Sequence, residues 1–177
     1  PAMLNDGRRM FAYAFEGYWK DVGTIGSLWE ANMDLLGSDP AFRLHDPAWR
    51  IYFRNNAEPP HLIGDFARVT NSLITEGCEI QGVVENCVLS AGVKVARGAY
   101  VKDSVIMSNV TIGEGATVNY SIVDSDTEIG AGSVIGRTKS TPENIALVGS
   151  GLTIAPGTDI PGGAMVSAKY LAEKAHK

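Results

Sequence analysis

NCVLSAGVKVARGAYVK (86–102), DSVIMSNVTIGEGATVN (103–119) and YSIVDSDTEIGAGSVIG (120–136) are three consecutive blocks of seventeen residues that align without a gap. A shorter version, NSLITEGCEIQGVVE, precedes them at Asn71. Within each block the aliphatic residues fall six apart: Leu89, Val95 and Val101; Ile106, Ile112 and Val118; Val123, Ile129 and Ile135. A helix brings residues three or four apart onto one face, and a flat strand alternates at two, so neither period produces six. One side of a triangular coil does. Three short strands joined by tight turns close one coil, and stacked coils pile like aliphatics into a continuous apolar column.

The residues around those aliphatics fit the same geometry. Two positions before each stands a small or β-branched side chain: Ser72, Cys78, Cys87, Val93, Ala99, Ser104, Val110, Ala116, Ser121, Thr127 and Ser133. The corners of a narrow prism leave room for little else. Gly113, Gly115, Gly130 and Gly132 stand where the backbone turns sharply, which predicts positive φ at some of them. Lys94, Arg97, Glu114 and Glu128 occupy slots that should point to water. This pattern resembles the hexapeptide-repeat parallel β-helix, and the resemblance implies left-handed winding, an exception to the usual right-handed crossover. The register breaks across RTKSTPENIA (137–146) and resumes at Val148, Ile154, Ile160 and Val166, which predicts an inserted loop and one further coil. The tail SAKYLAEKAHK is rich in helix formers and could close the open end.

Composition narrows the function classes. The chain has 177 residues and a formal net charge of -5, which offers no basic stripe for a nucleic-acid backbone. No apolar run reaches the roughly 20 residues of a bilayer span, and no leader pattern is present, so a cytoplasmic setting without a membrane partner is expected. Two cysteines and three histidines make neither a disulfide framework nor a metal-ligand pattern. Cys78 and Cys87 fall in the small interior slot and are expected to be buried and structural. Beginning at Pro1, the chain is read as part of a longer protein.

Ahead of the coils, RRMFAYAFEG (8–17) reads as a strand, with Met10, Ala12 and Ala14 alternating with Phe11, Tyr13 and Phe15. After Gly23, Thr24 is the expected N-cap of a helix whose apolar stripe is Ile25, Leu28, Trp29 and Leu36. Asp21 therefore lies in the strand-to-helix connection, a position well placed to face a site. Trp19 and Trp29 are expected in the core, and the flanking charges Glu16 and Lys20 are given no role. From Gly37 to Thr70 four prolines surround WRIYFRN (49–55), read as a strand that buries one face through Trp49, Ile51 and Phe53.

The string Tyr18-Trp19-Lys20-Asp21-Val22-Gly23-Thr24, followed by Trp29-Glu30-Ala31-Asn32 and Asp34-Leu35, resembles the end of the catalytic domain of the bacterial glucose-1-phosphate adenylyltransferases, or ADP-glucose pyrophosphorylases. The W-x-D-x-G-T core alone is shared by sugar-1-phosphate nucleotidyltransferases at large. Trp49-Arg50-Ile51, Pro59-Pro60, the NSLITEGCEI entry and the length of the coil region extend the likeness across the chain. It implies a mainly β chain: residues 1–36 as the strand-loop-helix end of an α/β nucleotidyltransferase domain, 37–70 as a linker, 71–136 as left-handed β-helix, and 137–177 as loop, further coil and tail. It also implies transfer of an adenylyl group from ATP to glucose 1-phosphate, giving ADP-glucose and pyrophosphate for glycogen synthesis. Asp21 then carries the catalytic role of a Mg²⁺-holding aspartate, paired with a second aspartate from earlier in the domain. The resemblance further implies a sugar-phosphate effector near the domain junction and an oligomer, a tetramer when intact, assembled through the prism.

No glycine-rich nucleotide loop is present, so these residues alone should not catalyse. Three alternatives stand: a non-catalytic regulatory paralogue, another sugar-1-phosphate nucleotidyltransferase, or a hexapeptide acyltransferase. The last needs a histidine general base in a groove between prisms, and His45, His61 and His176 all lie outside the regular coils.

Overall fold

A computed structural model describes residues 2–44, 46–52 and 57–175. Its body is a parallel β-helix of eighteen short strands in three six-stranded sheets. The first coil is β1 (Leu62–Ile63), β2 (Arg68–Thr70) and β3 (Leu73–Ile74); the sixth is β16 (Thr153–Ile154), β17 (Asp159–Ile160) and β18 (Met165–Val166). Each strand pairs in parallel with its counterparts one coil away, never with its chain neighbours.

The register makes the predicted columns explicit. Ile80, Val95, Ile112, Ile129 and Ile154 stack in one sheet; Val84, Val101, Val118, Ile135 and Ile160 in the second; Leu89, Ile106, Val123, Val148 and Val166 in the third. All fifteen are buried in one core with Cys78, Cys87, Val93, Ala99, Val110 and Ala116 from the corner slots. Burial of these side chains, at about 1.5–3 kcal/mol each, is the main stabilising contribution in strands too short to stand alone. Lys94, Arg97, Glu114 and Glu128 are exposed, as their slots require. Gly115 and Gly132 take the left-handed conformation (φ +66° and +67°). Gly113 and Gly130 instead lie directly beneath the backbone of the next coil.

The ladder begins earlier than the block alignment, since β1 and β2 fall within the segment read as linker. Ile63 and Val69 already keep the spacing of six. The insertion extends one coil: Val123 pairs with Val148, twenty-five positions on, where the two steps before it, Leu89 to Ile106 and Ile106 to Val123, take seventeen each. Helix α3 (Ala168–Ala175) closes the far end, with Tyr170 and Leu171 packed against the core.

The strands expected outside the β-helix are not formed. Residues 8–17 carry no regular structure; Phe11 and Tyr13 are 88% and 89% exposed, because among the described residues no neighbouring strand pairs with them. A short helix, α1 (Ala2–Asn5), precedes them. The 49–55 segment forms no strand in its described part, where Trp49 and Ile51 are exposed; Phe53 lies outside the described residues.

Candidate functional site

Helix α2 (Ile25–Met33) is built by local chemistry and placed by the prism. Thr24 adopts an extended conformation, and its side chain accepts the Ser27 N–H at 3.1 Å while Ser27 Oγ accepts the Thr24 N–H at 3.0 Å, a reciprocal capping box. The helix lies on the third sheet. Trp29, 5% exposed, packs with Val105, Tyr120, Ile122 and Ile145 in a second apolar cluster, meeting the Tyr120 ring edge-on at 5.0 Å. Its indole N–H donates to the Asp103 carbonyl at 2.7 Å.

The inserted segment completes this seat. Its 3-10 turn (Pro142–Asn144) comes so close to α2 that a Cβ on Gly26 would stand 2.9 Å from Pro142 Cβ, and Lys139 Nζ sits 4.5 Å from the centroid of the Trp29 ring. Lys139 also borders a polar cavity of about 190 Å³ with Tyr100, Lys102 and Asn119, whose buried Oδ1 has no hydrogen-bond partner among the described residues.

Asp21 lies in the connection entering α2, as its sequence position predicts. Its Oδ1 accepts the Gly23 N–H at 2.9 Å; Oδ2 makes no hydrogen bond or ion pair among the described residues, and the side chain is exposed. Asp21 is thus not the helix cap, a role held by Thr24. Lys20 Nζ pairs with Asp34 Oδ2 at 2.8 Å and with Glu30 Oε2 at 3.3 Å, and Tyr18 Oη donates to Asp34 Oδ2 at 3.0 Å. Lys20 holds the Asp34 carboxyl below the ordinary carboxylate range, and its own ammonium is raised chiefly by the same bond. Trp19, expected in the core, is 72% exposed, because the residues on either side of it turn toward α2.

As a metal ligand Asp21 offers one free carboxylate oxygen. No group of three His, Cys, Asp or Glu side chains among the described residues could hold a metal. A Mg²⁺ bound at Asp21 would take its further protein ligands from elsewhere. His61 is exposed and immediately precedes β1, so it lies on no coil face; His45 and His176 lie outside the described residues. Both cysteines are buried free thiols. Burial pushes Cys87 up to about 12, and raises Cys78 as well, which removes both as nucleophiles near neutrality. A larger cavity, about 630 Å³, separates Leu36 and Arg43 from Val69 and Asn71, where the front segment meets the first coil; Arg43 is paired with Asp39 at 2.6 Å. No described helix is long and apolar enough to cross a membrane.

The sequence reading missed the hub at Asp34 and the seat for α2. A signal for the seat was present. In the third sheet the outward residues are Leu73, Val88, Val105, Ile122, Leu147 and Met165, so its six strands read LI, VL, VI, IV, LV and MV; in the first sheet, beyond the LI of β1, they read EI, KV, TI, EI and TI. In the middle of the third sheet, where Val88, Val105 and Ile122 are buried, strands apolar on both sides of the pleat are covered on both faces; Met165 at the far edge stays exposed.

Residues 62–160 match the family described as GlmU-like, C-terminal hexapeptide, and residues 1–38 match the nucleotidyl transferase family. The glucose-1-phosphate adenylyltransferase of Clostridium botulinum (strain Eklund 17B / Type B) is 61% identical over 104 residues, covering 59% of this chain and 27% of that protein. Enzymes of the same name from Bacillus cereus (strain Q1) and Acetivibrio thermocellus are 55% and 53% identical over 104 residues, 59% of this chain and 28% and 24% of theirs. The chain therefore matches about a quarter of the length of these curated relatives. Among solved structures, the acetyltransferase domain of PglB from Neisseria gonorrhoeae FA1090 in complex with acetyl coenzyme A is similar at 28% identity and a TM-score of 0.49, over 61% of this chain and 54% of that one.

Proposed function

The chain belongs to the GlmU-like, C-terminal hexapeptide family, and on that premise we propose that it is the C-terminal region of a bacterial glucose-1-phosphate adenylyltransferase. The observation that carries the reading is the 61% identity to an enzyme of that name, joined to a nucleotidyl transferase match over residues 1–38. In the intact enzyme, acting in the cytoplasm, the phosphate of glucose 1-phosphate attacks the α-phosphorus of ATP. One P–O bond forms, one breaks, and pyrophosphate leaves with ADP-glucose as the product. Mg²⁺ supplies charge neutralisation and alignment of the phosphates.

This chain contributes Asp21, a carboxylate with one oxygen tied to its own turn and one open to a ligand. Helix α2, locked onto the prism by Trp29, holds that turn at a fixed place. The prism itself serves assembly: its flat faces of short strands suit association into an oligomer, with a sugar-phosphate effector acting near the junction of residues 37–70.

The test is turnover by the intact protein with ATP, glucose 1-phosphate and Mg²⁺. Formation of ADP-glucose and pyrophosphate is the expected result. No product in that mixture would favour a regulatory subunit, and product only with another nucleotide a different sugar-1-phosphate nucleotidyltransferase.

A further inference from the structure

The connection bearing Asp21 is anchored from one side. Asp34 stands at the C-cap of α2, and Tyr18 and Lys20, two residues apart, both donate to its Oδ2, at 3.0 and 2.8 Å. Lys20 adds a second tie to Glu30, 3.3 Å away on the same helix. Trp19, between the two anchors, and Asp21, just after them, are exposed. The segment thus turns residues 18 and 20 toward α2 and residues 19 and 21 away from it. A half-exposed ion pair of this kind, screened by solvent, contributes little to stability. Its geometric effect is larger here, since three bonds to one helix fix both the height and the rotation of four successive residues.

We propose that Asp34 is a positioning residue for Asp21, holding Tyr18 and Lys20 so that the carboxylate of Asp21 is presented outward in one orientation. The inference rests on the assignment of Asp21 made above. Asp34 touches no reacting atom in this account; it acts through the backbone of residues 18–21. Partners that orient a metal-holding side chain usually change affinity or activity by about 10- to 100-fold when removed, which sets the expected size.

The experiment compares Asp21→Asn, Asp34→Ala and Asp34→Asn in the intact enzyme. Asp34→Ala should lower kcat roughly tenfold or more and raise the Mg²⁺ concentration giving half-maximal rate, with KM for glucose 1-phosphate little changed. Asp34→Asn, which still accepts hydrogen bonds, should fall between it and the wild type. Amide exchange of residues 17–23 should quicken in Asp34→Ala while that of the coils stays as it was. A wild-type kcat in Asp34→Ala, with Asp21→Asn impaired, overturns the positioning role and leaves the Asp21 assignment standing. A wild-type kcat in Asp21→Asn overturns both. If Asp34→Ala also quickens exchange in the coils, Lys20→Met and Tyr18→Phe decide the matter: each removes one anchor, and wild-type kcat in both overturns the proposal.

Discussion

Trp29 and Asp103, 74 positions apart, are joined by a 2.7 Å hydrogen bond from the indole N–H to a backbone carbonyl. The carbonyl belongs to a corner residue in the left-handed conformation (φ +48°), one coil below Tyr120 in the same column. The bond therefore ties the helix after Asp21 to a fixed level of the prism.

Replacing Trp29 separates its two contributions. Trp29→Phe keeps a ring in the slot and loses the hydrogen bond, at a cost of about 1–3 kcal/mol. Trp29→Ala also empties the seat between Tyr120 and Ile122, at about 3–5 kcal/mol. Urea unfolding should rank them in that order; equal losses would mean that ring packing contributes nothing to docking.

The interior columns should respond by position rather than by residue type. Ile112→Ala, fully buried with a neighbour above and below, is expected to cost about 2–5 kcal/mol. Thr111→Ala, adjacent but facing outward, should stay within about 0.5 kcal/mol. Similar losses at the two positions in thermal unfolding would contradict the stacked register.

Two glycines of one turn should differ for different reasons. A Cβ on Gly113 would stand 2.7 Å from Ala131 N and 2.8 Å from Ile129 O, backbone atoms of the next coil that cannot move aside. A Cβ on Gly115 meets nothing within 4 Å, so Gly115→Ala pays only for its left-handed φ, about 1–2 kcal/mol. Gly113→Ala should be the more destabilising of the two by differential scanning calorimetry, and the reverse order would place the coils wrongly.

The repeat made the prism legible because each aliphatic repeats the job of the one below it: Ile112 needs no knowledge of distant sequence once Val95 and Ile129 are aligned. Helix α2 was legible for local reasons, the Thr24 cap and the Trp29 stripe. What stayed hidden was relational. Met10 to Phe15 carry strand-like alternation, but a strand exists only with a partner, and among the described residues none stands beside them. Trp49 has the composition of a core residue and lies 78% exposed. Asp34 looked like one more polar residue on a helix, since nothing local announces that Tyr18 and Lys20 converge on it. The place of Asp21 in the connection could be read; no residue facing its free oxygen could, and among the described residues no group of three His, Cys, Asp or Glu side chains forms there.

Cys87 gives the fold a dependence on alkaline pH. Burial raises its thiol from the ordinary 9.0 to about 12. Between those values the unfolded chain loses the proton while the folded chain keeps it, so unfolding is favoured progressively as pH rises through that window. Ser104 and Ser121 occupy the same corner slot in the next coils and donate to the carbonyl two residues back at 2.6 and 2.7 Å, as Cys87 does at 3.1 Å. Cys87→Ser should therefore fold normally and flatten the fall in stability above pH 9. An unchanged slope would mean that Cys87 is not the group responsible.

The most direct test of the functional account is kcat of the intact protein carrying Asp21→Asn, measured as pyrophosphate release from ATP and glucose 1-phosphate at saturating Mg²⁺. The account predicts a fall of about a hundredfold or more, the kinetic equivalent of losing part of the several kcal/mol that a polarising metal supplies. A variant that releases pyrophosphate at the wild-type rate would contradict it.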